Sequence, residues 1–167
     1  MVASRRTSFE VRCNWKSFLE VFNEYYHLKT VHPVTVGGNY DEPDPPDPVT
    51  GSYATQFGTH EGTGAVVMGQ GTDTFATIPS LSGRATGGTR YALVFPSLTF
   101  ACTTDCMWLF VTDPLAPGRT RVEMVTCFPR ETAARPDFDC IAASYYERWG
   151  LVMEEDIVIL EQQQRAL

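Results

Sequence analysis

The spacing of apolar residues divides the chain into a helical opening, a strand-rich middle and a helical end. Over residues 8–13 apolar and polar positions alternate, with Phe9, Val11 and Cys13 on one side, which is the period of a half-buried strand. Residues 1–7 read as a polar lead. From Asn14 the step changes: Trp15, Phe18, Leu19 and Phe22 recur at three and four. No Gly or Pro falls between Asn14 and His32, Asn14 is a candidate N-cap, and Pro33 closes the segment. The pattern predicts a helix that unwinds just before Pro33.

After Pro33 the chain turns polar, with prolines at 43, 45, 46 and 48. Prolines cannot donate to a ladder, so 41–48 reads as an extended surface loop, either a plain connector or a lid. Residues 52–57 and 65–68 read as strands around a hairpin-type loop at 60–64. A long loop over 70–88 follows, with Phe75, Ile78 and Leu81 expected to be buried in it. Strands are then predicted at 90–95, 98–102, 107–111 and 121–128, broken by turns at 96–97, 103–106 and 114–118. Short strands joined by tight turns make an antiparallel sheet. From Asp137, Phe138, Ile141, Tyr145, Trp149 and Val152 lie on one helical stripe. The fold class is therefore α+β.

Composition narrows the setting. A chain of 167 residues with 43% hydrophobic content has the length of one domain, 1–167, with a real core. Its net charge of −7, without a Lys/Arg cluster, argues against nucleic acid and anionic membrane surfaces as partners. No apolar run approaches the roughly 18 residues of a membrane span, and no signal peptide or internal repeat is seen. Five cysteines in no Cys-x2-Cys arrangement suggest reduced thiols and a cytoplasmic protein. Cys13, Cys102 and Cys127 read as core residues; Cys102 and Cys106 flank a turn and are a weaker candidate metal pair.

Two polar features stand out against this frame. Glu20, Glu24 and His27 are spaced by four and three, so they share a face beside the apolar stripe, and the His32 ring can turn back toward His27. Converging imidazoles beside carboxylates suit a first-row metal; the alternative is a capped helix whose histidines bond to backbone. At the other end of the chain, the next member of the C-terminal stripe is Asp156, followed by Leu160, while Glu154 and Glu155 point elsewhere. A carboxylate in a core-facing slot is costly unless paired or bound to metal. A solvated helix end, or a helix re-phased at Gly150, would equally explain it.

The spacing carries a resemblance. Asn14-Trp15-Lys16, then Glu20-x3-Glu24-x2-His27-x4-His32-Pro33, resembles the mononuclear-iron motif in the catalytic domain of Rieske non-heme iron oxygenases, the ring-hydroxylating oxygenase alpha subunits. Residues 155–164 look like the closing helix of that domain, and 91–98 and 114–120 like parts of its sheet, so the resemblance covers roughly 8–165. It implies Fe(2+) on His27, His32 and Asp156, with O2 and a small-molecule substrate on the open side. It also implies a helix-grip fold, an antiparallel sheet wrapped around a long C-terminal helix. Glu24 takes the place of the carboxylate between the iron and the Rieske cluster of a neighbouring subunit in a homotrimer. Many members have Asp there; Glu, with the Asn-Trp-Lys opening, looks more like the branch acting on choline, carnitine and betaine. Val21 departs from the pattern, where an Asn usually stands.

The implied reaction is O2-dependent hydroxylation or N-demethylation of a small organic molecule, a quaternary amine or an aromatic. Tyr53, Phe57, Phe95, Phe100, Trp108 and Phe110 are candidates for an aromatic substrate pocket or cage, or are ordinary core. A two-iron two-sulfur Rieske cluster needs two Cys and two His. With His27 and His32 committed, only His60 remains, and no Cys-x-His or Cys-x2-His pair occurs. Electrons would come from an external Rieske domain, or from a ferredoxin and reductase. The alternative class is a non-catalytic ligand-binding module that keeps a metal site, or an inactive fragment of a larger oxygenase.

Overall fold

Six antiparallel strands form one layer in the order β1-β6-β5-β4-β3-β2, and a long helix lies across one face of it. The computed structural model describes residues 1–38, 44–45, 47–67 and 73–167. In chain order the elements are β1 (Val2–Val11), α1 (Trp15–Phe22), α2 (Leu28–Val31), β2 (Tyr53–Thr59), β3 (Gly88–Val94), β4 (Leu98–Cys102), β5 (Met107–Ala116), β6 (Arg119–Phe128), α3 (Arg130–Ala133) and α4 (Phe138–Ala166). This is the α+β, helix-grip arrangement that the sequence resemblance implies.

β3 to β6 fall close to their expected places, and along β4 and the first part of β5 every second residue turns to the core. On β5, Trp108 and Phe110 are buried, and opposite them on β4 and β6 stand Ala101, Met124 and Thr126. The helix supplies the second wall. α4 runs 29 residues without interruption, about 43 Å at 1.5 Å per residue, so Gly150 does not re-phase it. Phe138, Tyr145, Trp149, Met153 and Leu160 pack on that sheet face with Phe128 and Trp108. Their aromatic rings meet in a run of edge-on and tilted contacts 5.2–6.3 Å apart.

The structure differs from the sequence reading in several places; the expected turn at 114–118, for one, is strand β5 as far as Ala116. The expected polar lead at 1–7 is most of strand β1, paired along β6 from Val2 opposite Phe128 to Val11 opposite Thr120. An edge strand needs a ladder partner more than a hydrophobic face, and the Ser4 hydroxyl adds a 3.1 Å bond to the Thr126 carbonyl. The expected strand at 65–68 is not formed over its described residues 65–67. Gly62 and Gly64 both have positive φ there, and the Thr103 hydroxyl donates to the Thr63 carbonyl. The predicted single helix over 14–32 is two helices. Asn14 does cap the first, accepting from Lys16 N at 3.0 Å, but Asn23 ends it by leaving helical geometry and donating its side-chain amide to Leu19 O at 2.7 Å.

Phe75 is buried as expected, whereas Ile78 and Leu81 are half-buried. Of the proline-rich stretch, 41–43 and 46 lie outside the described residues. Asp44 and Asp47 are tied to Arg84, and Asp47 also to Arg90, so this part of the loop is held against β2 and β3. Arg90 neighbours Tyr91 on β3, so it projects on the face opposite the cavity that Tyr91 lines. All five cysteines are free thiols, and no helix among the described residues is long and apolar enough to cross a membrane.

Candidate metal centre

The break between α1 and α2 is what shapes the site. Residues 23–27 turn the chain, and α2 is a single turn with His27 at its N-cap and His32 at its C-cap. Five residues apart across one turn, the two rings come together edge-on with centroids 5.1 Å apart. Beyond His32 the chain doubles back: Gly37 N donates to His32 O at 2.7 Å. A Cβ on Gly37 would stand 2.6 Å from Leu28 O and 2.8 Å from His32 O, so the turn closes this tightly only on glycine.

Asp156 reaches the same point from α4. The stripe that carries Trp149 and Met153 delivers it, and the helix is still packed one turn later at Leu160. His32 Nε2 is 2.8 Å from Asp156 Oδ1, and His27 Nε2 is 3.7 Å from the same oxygen. One donor atom from each of His27, His32 and Asp156 lies within 4.8 Å of the others, the one such group of three among the described residues. Cis ligands about 2.1 Å from a first-row ion sit about 3 Å apart, so these separations are of the right size. Two imidazoles and a carboxylate are the donor set of a non-heme Fe(II) centre with open positions. Cys102 and Cys106 have no third donor of this kind among the described residues.

The far nitrogen of each ring is held by a second carboxylate. His27 Nδ1 bonds to Glu24 Oε1, and the other Glu24 oxygen accepts from His27 N at 3.2 Å. His32 Nδ1 is 2.6 Å from Glu155 Oε2, which also accepts from the Thr35 hydroxyl at 2.7 Å. An ionised carboxylate can only accept, so each Nδ1 donates to its glutamate; the 2.8 Å contact with Asp156 puts a proton on His32 Nε2 as well in the metal-free chain, and Nε2 of each ring is the nitrogen that faces Asp156. Burial disfavours a charged His32, but the hydrogen bonds and charges of Asp156 and then Glu155 outweigh it and hold its pKa above the ordinary value. A metal ion would displace a proton there.

These donors sit at one end of a cavity of about 560 Å³, counting its mouth. Its walls are largely aromatic: Phe22, Tyr25, Tyr91, Trp108, Phe110 and Trp149. Trp108 and Phe110, expected from the sequence as pocket candidates, line it. Phe95 does not; it is 60% exposed past the end of β3, with its ring near Trp15. Phe100 does not either, because β4 turns the neighbouring Ala101 to the core and Phe100 to the opposite face. Tyr53 is 42% exposed, and Phe57 is buried beneath Arg84 and Arg90. Glu20 is exposed on α1, away from the histidines. His60 is buried elsewhere, its Nε2 2.7 Å from the Thr89 hydroxyl.

Sequence reasoning missed Glu155, Thr35, Tyr91 and Arg148. Glu155 gives no pattern signal, because it lies one position off the buried stripe and reaches His32 sideways. Arg148 did give one. It stands three residues after Tyr145 and four before Val152, a charge on an apolar stripe, and it is 4% exposed.

The ring-hydroxylating alpha subunit catalytic-domain family model matches residues 1–167. No curated protein sequence matches the chain. Among solved structures, it resembles the quaternary ammonium Rieske monooxygenase CntA in complex with the inhibitor MMV12, at 15% identity and a TM-score of 0.69, over 99% of this chain and 39% of that one. It also resembles naphthalene 1,2-dioxygenase from Rhodococcus sp. bound to indole, at 15% identity and 0.69, over 98% and 43%. Dicamba monooxygenase bound to dicamba aligns at 13% and 0.61, over 96% and 48%. At these identities the likeness is one of fold, and the chain spans less than half the length of each. With the family model matching along its whole length, the chain belongs to the catalytic-domain family of ring-hydroxylating oxygenase alpha subunits, a family of enzymes.

Proposed function

We propose that this chain, as a single catalytic domain, holds one Fe(2+) on His27, His32 and Asp156. There it hydroxylates or N-demethylates a small organic molecule with O2, using electrons from an external Rieske cluster. The observation that carries this reading is the pair of imidazoles, each steadied at Nδ1 by its own carboxylate and aimed at Asp156, at the end of an aromatic cavity. When bound, the iron supplies the site for O2 activation. The chain's own residues do the rest. Glu24 and Glu155 fix the tautomers and orientation of the two rings. The aromatic walls exclude water and seat the substrate's apolar body.

Glu24 is proposed as the route for electrons. It touches His27 on one side, is about one-sixth exposed on the other, and has the 84% exposed Tyr26 two residues on. A cluster docking on the α1–α2 turn would therefore meet Glu24 first. We place this docking across a subunit boundary in a homotrimer, within the cytoplasm, with a Rieske domain or a ferredoxin and reductase as donor.

Reconstitution tests the reading. Iron-loaded protein with a reductase alone is expected to oxidise no substrate catalytically; adding a Rieske protein restores turnover. Glu24→Gln should keep its iron but lose turnover, because it removes the charge and keeps the shape. Turnover within twofold of the parent would make Glu24 structural only. Iron binding with no turnover under any donor would favour a ligand-binding module.

A further inference from the structure

Arg148 lies on α4 eight residues before Asp156, about 12 Å along the helix axis, and lines the same cavity. It is 4% exposed, and its Nε is buried with no hydrogen-bond partner. No carboxylate among the described residues comes within ion-pair distance of it. Asp105, a buried acid in the same core, is already engaged: its two oxygens accept from the Thr63 hydroxyl and the Tyr145 hydroxyl, each at 2.5 Å. His60 cannot supply a counter-charge, because an imidazole is neutral or cationic, and burial first and the charge of Arg148 as well depress its pKa. A buried, unpaired guanidinium is costly, and its planar fork is shaped to take a carboxylate.

The cavity thus has two unlike ends. At one stand Glu24, His27, His32 and Asp156; at the other stands a cation without a counter-ion among the described residues. The Arg148 guanidinium also lies over the Trp108 ring at 5.0 Å. That ring face is therefore occupied by the protein's own cation, and a substrate ammonium brought to it would be repelled rather than caged.

We propose that the substrate carries a carboxylate, that Arg148 is the residue that binds it, and that the carbon to be oxidised lies several bonds away at the histidine end. The apolar body of the molecule would lie between them along Trp108, Phe110 and Trp149. Only the orientation rests on the oxygenase reading. The binding test uses neither iron nor reductant, so loss of the iron site leaves this proposal standing, and loss of anion preference leaves the iron site standing.

The probes are 4-phenylbutanoate, its primary amide and (4-phenylbutyl)trimethylammonium, titrated calorimetrically into the full metal-free chain. The carboxylate should bind at least about tenfold more tightly than the amide, the worth of one charge-assisted contact. The trimethylammonium probe should bind no better than the amide. Arg148→Gln should bring the carboxylate down to the amide's affinity while leaving the amide's unchanged. The comparison among probes on the unaltered chain stands even if that variant fails to fold. Equal or tighter binding of the amide or the ammonium probe, or no binding of the carboxylate at millimolar concentration, would overturn the proposal.

Discussion

At the level of single residues, the site is built from pairs. His27 is held by Glu24 and His32 by Glu155, so the orientation of each Nε2 depends on a carboxylate that is not itself one of the three converging donors. Losing such a partner typically costs 10–100-fold in metal affinity. Glu155→Gln should therefore weaken Fe(II) binding within about that range while the circular dichroism spectrum stays that of the parent. Unchanged affinity would mean the Glu155 contact is incidental. The difference in legibility between these residues is physical. His27, His32 and Glu24 stood out because their spacing is local; Asp156 showed as a charge on an apolar stripe, and the family resemblance, not the stripe, singled it out as a ligand. Glu155 did not stand out, because its partner lies 123 positions away and off the stripe's direction.

At the level of elements, the decisive feature is that α1 stops. His27 and His32 stay on one helical turn, with Val31 N bonded to His27 O and His32 N to Leu28 O, and His32 leaves helical geometry only at its own φ and ψ. The Asn23 break ahead of His27 separates that turn from α1, so it can take its own direction against α4. Propensity did not signal that break, since no Gly or Pro marks it; the stop is made by side-chain bonding to Leu19 and by the Glu24 contacts with His27. Gly37 closes the same unit from the other side. Gly37→Ala would push a methyl group against two backbone carbonyls that have no room to retreat. It should cost about 1–3 kcal/mol of stability and lower iron occupancy, checked by thermal melts and metal analysis; full occupancy with unaltered melting would show that the turn has slack. The β2–β3 end carries its own test, at His60. Its folded pKa is depressed, with burial the main cause. Above about pH 6.5 both the folded and unfolded states leave it neutral and its contribution is intact. As pH falls below that value, the unfolded chain takes up a proton that the fold resists, so stability is lost. The melting-temperature advantage of the parent over His60→Gln should therefore shrink between about pH 7 and pH 5. A constant gap would contradict the assignment.

At the level of the whole molecule, sheet and helix enclose a cavity whose two ends come from different parts of the chain. The α1–α2 segment and the far part of α4 supply the histidine and carboxylate end; Arg148 on α4, close to Trp108 of β5, supplies the other. The antiparallel strands of the middle and the buried stripe of α4 were legible from period-two and helical patterning, while the strand order was not. The first part of strand β1, residues 2–7, was hidden, because an edge strand with polar outward residues looks like a tail. The central claim is that His27, His32 and Asp156 form one iron site. Its most direct test is an anaerobic Fe(II) titration of the purified chain beside His27→Ala, His32→Ala and Asp156→Ala. One iron per chain is expected for the parent, with near-complete loss in each variant. Full iron retention in any of the three would contradict the claim.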